Sequence, residues 1–126
     1  MPETRVVFYQ EADGQAPVVE WLQELLENNE RAWANCRARI ELLARFGHEL
    51  RRPATDYLRD GIYELRAKQG HVQYRLLYFF HGRQVAILAH ALTKEDEVPI
   101  ADIERTIKRK HLFEANQKAH TYESKD

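Results

Sequence analysis

Between Ile62 and Leu92 the chain sets three runs of strand-forming residues against two short glycine turns. Ile62-Tyr63-Glu64-Leu65-Arg66-Ala67-Lys68 meets Gln69-Gly70, Val72 to Phe80 meets His81-Gly82-Arg83, and Gln84 to Leu92 completes the series. β-Branched and aromatic residues fit a pleated, half-buried surface. Turns this short join only antiparallel neighbours. A three-strand antiparallel meander is therefore the frame around which the rest must pack.

The flanking segments follow helical and extended grammar. Arg5-Val6-Val7-Phe8-Tyr9 reads as a strand that ends near Asp13-Gly14. Pro17 suits the first turn of a helix, and Val18, Trp21, Leu22, Leu25 and Leu26 recur at helical spacing. Asn28-Asn29 interrupts that pattern. A second helix carries Trp33, Cys36, Ile40, Leu43 and Phe46 and stops at Gly47, where glycine takes a left-handed conformation without steric cost. Residues 48–57 have no periodicity and read as a loop. Pro99 opens a last helix with Ile100, Ile103 and Ile107 on its apolar face, and Val98 is a poor N-cap. From Ala115 to Asp126 the sequence turns polar, as a frayed helix end or a mobile tail would. The expected fold is α+β: strand, helix hairpin, antiparallel three-strand meander and C-terminal helix, with the helices on one face of the sheet.

At 126 residues this is one domain, 1–126. Its 44% apolar content suffices for a core without disulfides or a structural metal. The single cysteine, Cys36, lies in an apolar helical pattern and reads as a small core residue. No signal-peptide pattern or ~20-residue apolar run is present, so the expected location is cytoplasmic, with no membrane partner. The net charge of −1 conceals a gradient. Lys and Arg number five against nine Asp and Glu in residues 1–50, eight against three in 51–94, and six against eight in 95–126. The middle third is a basic island, either a phosphate-capturing surface or a run of solvated cations.

Three motifs in that island carry a resemblance. Asp60-Gly61-Ile62-Tyr63-Glu64-Leu65-Arg66, Tyr74-Arg75-Leu76-Leu77-Tyr78-Phe79-Phe80, and Leu88-Ala89-His90-Ala91-Leu92-Thr93-Lys94 followed by Pro99 resemble the phage-derived HigB-like toxins of the RelE/ParE superfamily. The match covers residues 58–99; the flanking helices agree in order and length. The resemblance implies a type II toxin that cleaves messenger RNA, with or without the ribosome, and inhibits translation. It also implies a helix-turn-helix (HigA-like) antitoxin as partner, and no metal or other cofactor.

Metal-free RNA cleavage proceeds by attack of a 2′-hydroxyl on the adjacent phosphate. It needs a base, cations on the phosphoryl oxygens and an acid for the leaving oxygen. Alternation puts Ile62, Glu64 and Arg66 on one face of the first meander strand, and Arg75, Leu77 and Phe79 on one face of the second. Arg75 is the single charge in a strand apolar on both faces. The resemblance makes it the main phosphate-stabilising group; an ion pair with Glu64 is the structural alternative. Arg66 could orient the phosphate or pair with Glu64. Lys94 matches the family's first terminal lysine and could equally be a surface lysine. His90 could serve as base or acid or be a satisfied structural residue. Arg59 and Lys68, further cations of the island, are the candidates for substrate binding. Glu95, Asp96 and Glu97 stand where the family continues with a second lysine, and Glu64 is a second candidate for the base. A member that acts by binding alone, as a gyrase inhibitor, a decayed toxin or a phage regulatory partner, is the competing expectation.

Overall fold

The computed structural model describes residues 3–93 and 96–123. In chain order the elements are β1 (Arg5–Phe8), α1 (Pro17–Asn28), α2 (Glu30–Phe46), β2 (Thr55–Arg59), β3 (Ile62–Gln69), β4 (Val72–His81), β5 (Val85–Thr93), α3 (Ile100–Ala115) and the single turn α4 (Gln117–His120). The strands form one sheet in the order β1-β5-β4-β3-β2, with β1 parallel to β5 and every other pair antiparallel. The α+β class and the element order agree with the sequence. No helix among the described residues is long and apolar enough to cross a membrane.

The stretch read as a loop corrects the strand count. Its end enters β2, so the meander has four strands rather than three. Asp60 and Gly61 join β2 to β3 with φ of 52° and 82°. Positive φ at both central residues lets a two-residue turn follow the twist of its strands. As an edge strand, β2 buries only Thr55 fully and so lacks an apolar pattern. It is fastened from inside: the Thr55 hydroxyl donates to the Glu64 carbonyl at 2.8 Å and lies 2.6 Å from the Tyr78 hydroxyl.

The second correction concerns layers. Helices cover both faces of the sheet, because β4 is apolar on both and neither face can be left to water. One core joins Val18, Ala32, Cys36 and Leu43 of the helix hairpin to Leu65, Leu76, Tyr78 and Leu88. The other joins Ile62, Leu77, Phe79 and Ile87 to Val98 and Phe113, with Ile103 and Ile107 packed against it. Cys36 is fully buried, which pushes its thiol up to about 12. Ile100 departs from its expected place: it is 68% exposed, and Val98, just before the helix, is the buried anchor instead. Leu26 and Phe46 also face water.

Local chemistry sets the boundaries. Asn29 ends α1 and caps α2, its Oδ1 accepting from Ala32 N at 3.1 Å. Gly47 ends α2 at φ 52°, and a Cβ there would strike Thr4 Oγ1. Past α3 the chain is docked: His120 is buried and stacks on Tyr9 at 5.3 Å, and Tyr122 N donates to Phe8 O at 2.8 Å. The polar tail thus contributes a strand-like contact along β1 up to Tyr122. Removing the cap by Asn29→Ala should lower unfolding stability by about 1 kcal/mol in urea titration. An unchanged midpoint would mean that the Asn29 side chain does not fix the break between the helices.

Candidate functional site

The register of β3 and β4 places Arg66 directly opposite Arg75. Like charges facing each other across a ladder repel, so something must compensate. Glu64, two residues before Arg66 and on the same face, supplies it. Its Oε1 accepts from Arg75 Nη1 at 2.5 Å and lies 3.5 Å from Arg66 Nε. The Glu64 side chain is 4% exposed, Arg75 10% and Arg66 30%. Both arginines approach the same carboxylate oxygen. The hydrogen bond from Arg75 goes to Oε1.

These side chains floor an open cleft of about 840 Å³. One wall is the edge of β2, with Asp56, Tyr57 and Leu58. The other is Asp96, Glu97 and Val98 with Ile103 of α3. Arg75 ties floor to wall, because its Nη2 donates to the Asp96 carbonyl at 2.7 Å. Asp56 is partly neutralised by Arg52 at 3.1 Å, and its Oδ1 accepts from Tyr57 N. The expected ion pair of Arg75 with Glu64 therefore exists, and it lies within the cleft.

The other candidates are dispersed. His90 shares the row and face of Glu64 through Leu77, but it sits under α3 and outside the cleft lining. Its Nε2 is 2.6 Å from Asp102 Oδ1, and Arg109 Nη1 is 3.3 Å from its Nδ1. This geometry fits a neutral ring that donates from Nε2 and accepts at Nδ1. Burial lowers its pKa below the usual histidine value, helped by Arg109 and Arg105, and Asp102 only partly opposes this. A bulge in β5 at Ala89 frees that residue's carbonyl from the ladder, and Arg109 Nη1 donates to it at 2.6 Å. His90 is thus part of a clasp that fastens α3 to the sheet. Arg59 is exposed at the β2–β3 turn, 2.9 Å from Asp60 and 3.8 Å from Glu104. Lys68 is exposed and lines a separate hollow. Lys94, like Glu95, lies outside the described residues.

Sequence reading missed the β2 wall, although Asp60-Gly61 is a strong hairpin signal. It also missed Asp102, Thr106 and Arg109. Their spacing of i, i+4 and i+7 marks a polar stripe on a buried helix face, and Thr106 is fully buried with its hydroxyl donating to Asp102 O at 2.8 Å. Among the described residues no group of three or more His, Cys, Asp or Glu side chains could hold a metal ion.

The clasp has a pH signature. A histidine whose folded pKa is depressed binds its proton more readily when unfolded. Its contribution to stability is complete above about pH 6.5 and is lost as pH falls through that value toward the folded pKa. Urea unfolding of the wild type should weaken between pH 7.5 and 5.5, and His90→Gln should flatten that slope. Equal slopes in the two proteins would show that His90 does not titrate in this way.

Comparison with known proteins adds one positive finding. The family model described as Phage derived protein Gp49-like (DUF891) matches residues 20–111, from α1 to near the end of α3. No curated protein matches the chain. The matched span covers well over half of the chain and contains the floor and both walls of the cleft. The chain belongs to the phage-derived Gp49-like family, a RelE/ParE-like toxin family.

Proposed function

We propose that this protein is the toxin of a type II toxin–antitoxin system, of the HigB-like kind, and that it cleaves messenger RNA without a metal. The observation that carries this reading is the Arg66–Arg75 pair around a single oxygen of Glu64, at the floor of an open cleft. A fold selected for stability alone gains little from two guanidiniums face to face in a half-buried ladder. Violations of local packing rules concentrate at functional sites.

The chemistry follows from the geometry. Arg66, the more exposed guanidinium, meets the scissile phosphate first, and Arg75 stabilises charge as it builds on the phosphoryl oxygens. With Oε1 held by the arginines, Glu64 Oε2 takes the 2′-hydroxyl proton. The bond from the 2′-oxygen to phosphorus forms as the bond to the 5′-oxygen breaks, leaving a cyclic phosphate and a 5′-hydroxyl. That 5′-oxygen needs a proton, and Lys94, the lysine that the family resemblance singles out, is the candidate donor. The RNA substrate, presented free or on the ribosome, sets the site of action in the cytoplasm. A helix-turn-helix antitoxin of the HigA-like kind is the expected silencing partner.

A binding-only mode has its own support. Among the described lining residues, Asp56, Glu64, Asp96 and Glu97 outnumber Arg66 and Arg75, a balance that disfavours polyanions. This reading makes the protein a RelE/ParE-fold inhibitor of a protein target such as gyrase.

Induced expression with mapping of transcript ends separates the two. Cleavage predicts growth arrest with new 5′ ends. Arg66→Ala should lower the cleavage rate by ~10²–10³, the usual loss for one preorganised charge partner, and Glu64→Gln by ~10²–10⁴. Both variants should be confirmed as folded by circular dichroism. Arrest without new ends would refute cleavage and favour the binding mode.

A further inference from the structure

Beside the cleft lies a hollow of about 270 Å³, lined by Arg39, Pro53, Arg66, Ala67, Lys68 and Gln73. We propose that it is a phosphate subsite for the RNA backbone next to the scissile position. The inference deepens the nuclease reading and rests on it. Three observations carry it.

The hollow is cationic. Arg39 comes from α2, and Arg66 and Lys68 come from β3. No carboxylate is among its described lining residues. Among the described residues the adjoining cleft has the opposite balance, four carboxylates against two arginines. A polyanion drawn to this side of the molecule is therefore captured by the hollow, not by the cleft itself. Second, Arg66 lines both spaces. A strand whose scissile phosphate contacts Arg66 from the cleft side has its neighbouring phosphate at the hollow. Third, the hollow exists because β2 runs out. β2 pairs with β3 only as far as Leu65, so beyond it the edge of β3 from Ala67 to Gln69 borders α2 instead of a strand. There the Lys68 carbonyl is capped by Asn35 Nδ2 at 2.8 Å. That bond shields the edge from strand addition and leaves the side chains as the recognition elements.

A phosphodiester backbone fits this better than an acidic peptide. Two guanidinium forks and an ammonium are the usual instruments for phosphate, and the shared arginine connects the hollow to a cleft built for attack on phosphorus. Arg39 and Lys68 then act on substrate binding and not on the chemical step. Their loss raises KM and leaves kcat in place.

The test uses the full chain and a short, fluorescently labelled 2′-O-methyl oligoribonucleotide, which cannot undergo 2′-hydroxyl attack. Its binding is followed by anisotropy over a salt series, for the wild type and for Arg39→Gln/Lys68→Gln. Lys68→Gln alone, at an exposed position, serves if the double variant melts early. Each single-strand phosphate contact contributes ~0.7 to the slope of log affinity against log salt. The double variant should therefore lose about 1.4 from that slope, with a raised KM and unchanged kcat on cleavable RNA. Wild-type slope and KM in the double variant would overturn the subsite and leave the cleft reading intact. A lost slope in a protein that never cleaves RNA would uphold the subsite and refute the nuclease. A variant that keeps its RNA slope but loses an acidic protein partner would overturn the proposal and assign the hollow to that partner. A wild type that binds no RNA would overturn both.

Discussion

The structure turns on one carboxylate. Glu64 lies almost without solvent between two arginines that the sheet register forces to face each other. Glu64 balances both arginines, and Arg75 is held further by the Asp96 carbonyl. Removing one partner from a buried pair typically costs about 3–5 kcal/mol, because the remaining charge stays buried. Where Glu64 is the partner removed, the Arg66–Arg75 repulsion adds to that cost. The carboxylate is thus a keystone of the β3–β4 ladder before it is anything else. Its chemical use in the cleft depends on the same geometry.

From this point the order of the molecule spreads outward. Arg75 passes it to the wall by holding the Asp96 carbonyl. Val98 then anchors the start of α3, and the stripe of Asp102, Thr106 and Arg109 fastens the helix over His90 and the Ala89 bulge. Arg109 also lies over the ring of Tyr9, which stacks on His120 from the C-terminal segment. The α3 face of the sheet therefore adds to its apolar core a polar chain of contacts that runs from the cleft to the docked terminus. The face under the helix hairpin is held by its apolar core, with Asn29 and Asn35 adding hydrogen bonds to the end of β3. The face with the polar chain carries the site.

Much of this was legible in the sequence. Period-2 alternation put Glu64, Arg66 and Arg75 on matching faces, and the glycine turns fixed which strands were neighbours. The Glu64–Arg75 pair could be named because β4 offers one charge in an apolar run. Other features were hidden for physical reasons. β2 is an edge strand with a single buried side chain, so it has no periodicity to read, and its signal lay in the Asp60-Gly61 turn. For His90 both readings stayed open, because its partners Asp102 and Arg109 and the burial that lowers its pKa come from another element. The two-sided burial of β4 was visible, and a helix on each face is its physical consequence. Arg39 gave no local sign, because its place beside Lys68 depends on where β2 ends.

The most direct test is arginine side-chain NMR on the isotopically labelled protein, alone and with a non-cleavable 2′-O-methyl oligoribonucleotide. The Arg75 guanidinium should give slowly exchanging, ion-paired signals in the free protein. Added RNA should shift the Arg66 and Arg75 resonances together, because both meet the same phosphate. Averaged Arg75 signals in the free protein, or bound RNA that leaves both arginines unshifted, would contradict a cleft organised by Glu64 for phosphate chemistry.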